Sequence, residues 1–244
     1  MYSLFLKEIR TFLSSFLGYL IIVVFLVVMG LFLWILPTEF NILDYGYANV
    51  DGLFILAPFV FMFLIPAITM RSFSEEQRTG TIELLYTRPL TDMQIILAKY
   101  LAAFVLVVFS IVPTLVYYFS VWQLGWPPGN IDSGAFWGSF IGLLFLAATF
   151  VSIGLFASSL AENQVVSFIV AVLITVVAYL GFDFIYDLSW FGNFDLFIKS
   201  LGISAHYSSI SRGVVDTRDV IYFFSVIVFF LYLTNFMIAR RKWQ

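Results

Sequence analysis

The first sixteen residues place apolar and polar positions with the spacing of an amphipathic helix. Lys7, Glu8 and Arg10 share one face of that helix. The large apolar side chains recur at steps of three and four on the other face: Tyr2, Phe5, Leu6, Ile9, Phe12, Leu13 and Phe16. This pattern predicts an interfacial helix over residues 1–16 that lies along the membrane surface. The alternative is the start of a signal peptide, but the apolar run that follows is too long for one.

Six long apolar runs follow, and each is long enough to cross a bilayer as a helix. They are predicted at Leu17–Leu36, Leu53–Met70, Ile95–Trp122, Phe136–Leu160, Val165–Ile185 and Arg218–Ile238. A spanning helix needs about 20 apolar residues and satisfies its own backbone hydrogen bonds in lipid. A β-barrel would instead show alternating segments of about ten residues. The pattern therefore predicts an all-α integral membrane protein that forms one domain over residues 1–244.

Composition and charge agree with this class and orient the chain. Hydrophobic residues make up 62% of the sequence, charged residues 11%, and the mean hydropathy is +1.01. Nine of the twelve basic residues fall at the chain ends or around residues 71–94, which predicts that both termini are cytoplasmic. The net charge of −3 gives no sign of nucleic-acid binding. The absence of cysteine excludes disulfides and thiolate metal sites.

The most polar part of the chain, residues 71–94, separates the second and third predicted spans. Gly80 and Pro89 bound a short helix predicted at Thr81–Thr87, which has too few apolar residues to form a core. A short helix with exposed leucines and flanking charges is either a docking element for a partner or a connecting loop on the membrane surface. The spacing by itself leaves both interpretations open.

Polar residues also mark the predicted helix starts near this loop. Ser72 with Glu75, and Thr91 with Gln94, have the spacing of capping boxes. In the tight turn between the fourth and fifth spans, Asn163 is a predicted N-cap. Its neighbour Glu162 is the only charge there, which makes the turn either a capped hairpin or a second contact with a cytoplasmic partner.

The segment at residues 186–217, before the last span, is too short for a domain and too apolar for a plain loop. Glycines interrupt its apolar stretches. We expect short re-entrant helices that dip into the outer leaflet. Backbone at that depth must be buried in protein, so the segment should pack on the bundle or on a partner.

Enzymatic motifs are absent from the sequence. It contains no G-x-x-x-x-G-K-[ST] phosphate loop, and His206 is its only histidine. No catalytic residue and no metal ligand set is therefore predicted. A secondary carrier usually needs ionisable groups at mid-membrane, and the sequence shows neither these nor an inverted repeat.

Two segments resemble type-2 ABC exporter permeases, and the likeness covers nearly the whole chain. The first is Gly80-Thr81-x-Glu83-Leu84-Leu85 with Pro89, Thr91 and Lys99 after it, and the second is the run Ser211–Val220 into the last span. Within the family, the sequence is most similar to the gliding-motility permease subunits, and a copper-maturation permease is a related alternative. The alternatives outside the family are a channel or secondary carrier without an ATPase, or a membrane anchor for an outer complex.

The resemblance implies partners and a location. It implies a bacterial inner membrane protein that pairs with a second permease chain or similar subunit, and a separate cytoplasmic ATPase that binds ATP and Mg²⁺. An accessory protein with an outer domain is also implied. The coupling helix would be Thr81–Arg88, and the residues expected to contact the ATPase are Arg78, Gly80, Thr81, Glu83, Leu84, Leu85, Arg88 and Glu162.

A path between two permease chains is expected along spans two and five. Pro58 and Pro66 predict kinks in span two and carbonyls freed from helical bonding, which need water or protein around them. Thr69, Asn163 and Ser167 are the polar groups expected near the cytoplasmic mouth of this path. The alternative is that both prolines only shape packing within one bundle.

Overall fold

The computed structural model describes residues 1–44, 46–83, 90–189 and 192–241, and every regular element in those ranges is helical. Within these described ranges, six segments are long and apolar enough to cross a membrane. We call them spans 1 to 6, and they are Phe16–Ile35, Asp51–Arg78, Asp92–Leu124, Ser133–Leu160, Gln164–Asp187 and Thr217–Arg240. The predicted all-α membrane fold with six transmembrane helices is confirmed, with segment ends displaced by a few residues.

Several spans are built from consecutive helical pieces. Span 1 consists of the α-helix Phe16–Gly30 and a π-helical turn Leu31–Ile35, and span 2 consists of Asp51–Thr69 and Ser74–Arg78. Span 3 consists of Asp92–Ile111, a 3-10 turn Val112–Thr114 and Leu115–Leu124. Span 5 consists of Gln164–Val176, a π-helical turn Val177–Gly181 and Phe182–Asp187, and the helix of span 6 is Thr217–Arg241. Because consecutive spans alternate in direction, both chain ends lie at one end of the bundle, which we call the termini face.

The predicted interfacial helix is Tyr2–Leu13, and it packs across the beginning of span 3. Its Leu4 is buried there. Ser15 separates it from span 1, because the Ser15 hydroxyl accepts a 3.1 Å hydrogen bond from the Gly18 amide and caps the new helix. The amphipathic pattern therefore corresponds to a helix held on the termini face.

Span 4 is the central helix of the bundle. In its most apolar window 78% of the residues are buried, against 22% in span 5 and 28% in span 6. Glycines allow neighbouring helices to approach it closely. A Cβ atom at Gly154 would lie 2.1 Å from the Thr69 hydroxyl, and one at Gly142 would lie 2.5 Å from the Ile210 side chain. Close packing of small residues is how helices associate in lipid, where the hydrophobic effect does not drive them together.

Prolines and N-terminal caps shape spans 2, 3 and 5. The helix Asp51–Thr69 continues through Pro58 and Pro66, whereas span 3 changes to a 3-10 turn at Pro113, where the missing amide breaks the hydrogen-bond ladder. The capping box of Thr91 with Gln94 is confirmed, with hydrogen bonds of 3.3 and 3.1 Å. Asn163 caps span 5 as predicted, because its side-chain oxygen accepts a bond from the Val165 amide.

Two short helices, Asp195–Ser200 and Ile203–Ile210, lie at the opposite end of the bundle from the termini face. The second helix packs on the bundle through its buried side chains. Its Tyr207 hydroxyl donates a 2.7 Å hydrogen bond to the Phe54 carbonyl of span 2. Short helices packed on the bundle are therefore present before the last span, and their position in the outer leaflet stays a prediction.

Gly138→Ala should displace the end of this segment from span 4. An ideal Cβ at Gly138 would lie 2.2 Å from the Gly213 carbonyl oxygen, so backbone must move. Overpacking of this kind costs about 1–3 kcal/mol, and we expect the Tm in detergent to fall by roughly 3–10 °C. Gly134→Ala is the matched control, since its nearest neighbour is the Asp132 carboxylate at 3.3 Å. Equal melting of both variants and the wild type would contradict the close contact.

Candidate functional site

The loop predicted to dock a partner is described as far as Glu83. The helix Ser74–Arg78 ends before Gly80, whose φ of +70° is the left-handed conformation that glycine adopts most easily. Arg78, Gly80, Thr81 and Glu83 are all exposed on the termini face. The other predicted docking residues lie outside the described residues: Leu84, Leu85 and Arg88.

Four charged side chains meet behind this loop. Lys99 Nζ of span 3 lies 3.0 Å from Glu8 Oε1 of the interfacial helix and 3.0 Å from Glu76 Oε2 of span 2. It also donates a 2.7 Å hydrogen bond to the Ser72 carbonyl. Lys7 Nζ lies 3.3 Å from Glu76 Oε1. We call Lys7, Glu8, Glu76 and Lys99 the charge cluster.

Lys99 is the buried centre of the charge cluster. Its side chain is 1% exposed, whereas that of Lys7 is 56% exposed. A buried ammonium is very unfavourable unless it is paired, and the two carboxylates and the Ser72 carbonyl compensate for the burial of Lys99. The Phe73 ring adds a cation–π contact, with its centroid 5.2 Å from Nζ. One lysine thus joins the interfacial helix, the end of span 2 and span 3.

The start of the helix Ser74–Arg78 is held by span 4, and the capping box predicted for Ser72 and Glu75 is wrong. That helix begins at Ser74 without a side-chain cap. Instead, the Ser158 hydroxyl accepts hydrogen bonds from the Phe73 and Ser74 amides at 2.9 and 3.2 Å. A contact across the bundle replaces the local cap, because the hydroxyl from span 4 already satisfies the free amides.

The turn after span 4 lies beside the same helix. Gln77 Nε2 donates a 3.3 Å hydrogen bond to the Ser159 carbonyl. Two residues of the turn, Glu162 and Asn163, are exposed. The structure therefore places Glu162 near the loop at residues 71–94, as a shared contact surface requires.

Most of the residues expected along a path between chains are inside the single bundle. Pro58, Pro66, Thr69 and Ser167 are buried, and only Asn163 is exposed. The Thr69 hydroxyl donates a 2.9 Å hydrogen bond to the Ile65 carbonyl, one turn earlier. Span 2 still has an exposed face at other positions, and its large side chains are Ile55, Phe59 and Phe63.

The only histidine joins the short helices to span 6. His206 Nδ1 lies 2.7 Å from Asp219 Oδ1, and Nε2 lies 2.9 Å from the Ser200 carbonyl oxygen. Both ring nitrogens therefore lie within hydrogen-bond distance of an oxygen atom from another helix or helix end. Ser204 bonds to Asp183 and not to His206, which leaves no nucleophile–base pair between them. We interpret the arrangement as a structural link.

The sequence analysis missed the charge cluster. It assigned Lys99 to the flank of a loop and Glu8 to a polar helix face, but the structure pairs them. A signal was present, because Lys99 is the only charged residue between Ile95 and Ile111 of span 3, and a charge inside a span predicts a partner. Periodicity could not identify that partner, since Glu8 is 91 positions away.

Comparison with known families accounts for this architecture. The sequence matches the family described as "ABC-2 family transporter protein" over residues 2–238, which is nearly the whole chain. The chain belongs to the ABC-2 transporter family. No curated protein matches the sequence significantly. The resemblance to type-2 ABC permeases is therefore confirmed at the level of the family.

Membership of the ABC-2 family assigns a general role to this protein. An ABC-2 protein is a membrane permease subunit of an ABC transporter, is not catalytic itself, and associates with an ABC ATPase. In this ABC-2 permease, exposed Arg78 and the charge cluster lie next to each other at the termini face, because Glu76 and Arg78 belong to the same short helix.

Proposed function

We propose that this ABC-2 permease couples ATP hydrolysis on a separate cytoplasmic ATPase to movement of its spans, in an exporter or a mechanotransmission complex. The observation that carries the proposal is Lys99, a buried cation held by carboxylates from two other elements at the base of the exposed loop. Such an arrangement connects a surface that a soluble partner can reach with a helix that crosses the membrane.

The proposed transmission starts at the loop, where Thr81–Arg88 would act as the coupling helix in the ATPase. Gly80 separates this helix from Ser74–Arg78, which carries Glu76. A displacement of Glu76 would act on Lys99 and Lys7, and through them on span 3 and the interfacial helix. The permease would bind neither ATP nor Mg²⁺, which would belong to the ATPase.

Copurification tests this proposal. A P-loop ATPase should copurify with the tagged chain from its native membrane, and its hydrolysis rate should change when the permease is removed. Purification without such an ATPase from gently solubilised membranes would favour a carrier without an ATPase or a membrane anchor.

We also propose that two permease chains, or this chain and a similar subunit, meet along spans 2 and 5. The support is the exposed apolar surface that both spans retain beside their contact within the chain, where the Phe59 and Tyr179 rings lie 6.3 Å apart. Phe63 of span 2 is 58% exposed, and Ile169 of span 5 is 51% exposed. A path for a substrate would then run between the chains.

Disulfide crosslinking should capture this contact. Two differently tagged chains, one with Phe63→Cys and one with Ile169→Cys, should form a mixed dimer on oxidation, visible on a non-reducing gel. The natural sequence has no cysteine, so every such band joins two chains. Val105→Cys with Phe229→Cys is the matched control, since both are exposed towards the termini-face half of spans 3 and 6. A band in the control pair alone would move the contact to those spans.

The orientation in the membrane, the type of membrane and the branch of the family are also part of this proposal. We place both termini in the cytoplasm and the chain in a bacterial inner membrane, because nine of twelve basic residues would then lie inside. We further propose the gliding-motility branch of the family, on the basis of the segments Gly80–Leu85 and Ser211–Val220. An accessory membrane protein would then supply the outer domain.

A further inference from the structure

A cavity of about 360 Å³ opens between the interfacial helix, the end of span 2 and the beginning of span 3. Its lining changes from charged to apolar with depth. Arg71, Glu75 and the charge cluster line the end at the termini face, and Ala103 and Leu106 line the other end. Leu106 is seven residues beyond Lys99, which is roughly 10 Å deeper along the helix.

Two charged side chains at the mouth of the cavity, Arg71 and Glu75, form no ion pair among the described residues. Nε of Arg71 is buried without a hydrogen-bond partner. In the described part of the chain, the ion pairs at this face all lie within the charge cluster, and neither Arg71 nor Glu75 takes part in one. A buried unpartnered donor is unfavourable. A ligand that fits this mouth would supply an acceptor for the buried Nε of Arg71 and could place a cation at Glu75, which is exposed.

We propose that the cavity binds one phospholipid with a zwitterionic headgroup, of the phosphatidylethanolamine class. The phosphate would bind the Arg71 guanidinium, whose planar donors suit phosphate oxygens. The ammonium would lie at Glu75, and one acyl chain would extend past Ala103 towards Leu106. The interfacial helix that covers the cavity lies where headgroups are found, so a membrane lipid can enter from the side.

The balance of charge favours this headgroup over an anionic one. Three cations and three carboxylates line the cavity: Lys7, Arg71, Lys99, Glu8, Glu75 and Glu76. An anionic lipid would therefore gain no net attraction and would leave Glu75 without a partner. A zwitterionic headgroup satisfies both free charges. The apolar end of the cavity requires an acyl chain and so distinguishes a lipid from free phosphate.

Native mass spectrometry of the delipidated full-length chain in detergent tests the proposal. Titration with palmitoyl-oleoyl phosphatidylethanolamine should give one bound lipid per chain at low lipid concentration. Arg71→Gln should weaken this binding roughly tenfold, because it removes one charge-assisted contact. Ala103→Trp should prevent it by filling the apolar end. A melting curve of each variant checks that it is folded. If Ala103→Trp does not fold, Arg71→Gln alone still tests the proposal.

Matched controls separate this site from the general lipid layer. Arg218→Gln removes an exposed arginine at the other end of the bundle, and Leu101→Trp enlarges an exposed position on the same span. Both should bind the first lipid as the wild type does. Phosphatidylglycerol and diacylglycerol should bind about tenfold more weakly, and millimolar inorganic phosphate should not displace the lipid. Unchanged affinity in Arg71→Gln and Ala103→Trp would overturn the proposal, as would displacement by phosphate alone.

Discussion

Lys99→Met is expected to lower the Tm of the purified permease by roughly 10 °C and to uncouple it from its ATPase. Methionine retains much of the side-chain volume but leaves Glu8 without its buried cation and Glu76 with only the exposed Lys7. Breaking a buried ion pair on one side costs about 3–5 kcal/mol, because a desolvated charge loses its partner. Melting in detergent measures the first effect. ATPase stimulation in proteoliposomes measures the second.

Two further variants show whether the lower Tm and the loss of coupling come from the buried ion pairs of Lys99. Lys7→Met removes the same charge from an exposed position of the charge cluster and should change stability by no more than about 1 kcal/mol. The triple variant Lys99→Met, Glu8→Gln, Glu76→Gln removes the buried charges together and should recover much of the Tm. Its ATPase stimulation should stay low if the ion pairs transmit the movement. A Lys99→Met protein that melts and hydrolyses like the wild type would refute the role of the charge cluster.

The double substitution Leu84→Asp, Leu85→Asp should abolish copurification of the ATPase while the permease still inserts in the membrane. Both leucines belong to the proposed coupling helix and lie in the sequence between Glu83, which is exposed, and Arg88. Two carboxylates in an apolar docking groove would be desolvated without partners, which costs several kcal/mol. A loss of that size reduces affinity by a factor of a hundred or more, at about 1.4 kcal/mol per tenfold. Pull-down from solubilised membranes measures it.

A control for charge alone uses an exposed leucine remote from the termini face. Leu43→Asp introduces a carboxylate at an exposed position in the connection between spans 1 and 2, and the ATPase should still copurify. Retention of the ATPase by the double variant would leave the loop at residues 71–94 as a connection on the membrane surface. Loss with both variants would point to a general defect in assembly.

Local sequence determined the membrane class, the six spans and the interfacial helix. Each of these depends on the free energy of transferring one continuous segment into lipid, which is nearly independent of the rest of the chain. The caps at Thr91 and Asn163 were predictable for a similar reason, since the donor and acceptor lie within three residues. The family could also be inferred from short motifs that lie close together in the sequence.

Only the tertiary structure decided which charges pair and which helix faces are buried. Lys99 meets Glu8 across 91 positions, and Ser158 replaces a local cap across 84 or more. Thr69 lies inside the bundle at a point where Gly154 of span 4 lets span 2 approach closely, and Pro58 is buried as well. The sequence of span 2 alone does not show which of its faces makes this contact. In lipid all six spans are similarly apolar, so hydrophobicity cannot rank their faces. Close packing and a few desolvated polar contacts select the arrangement.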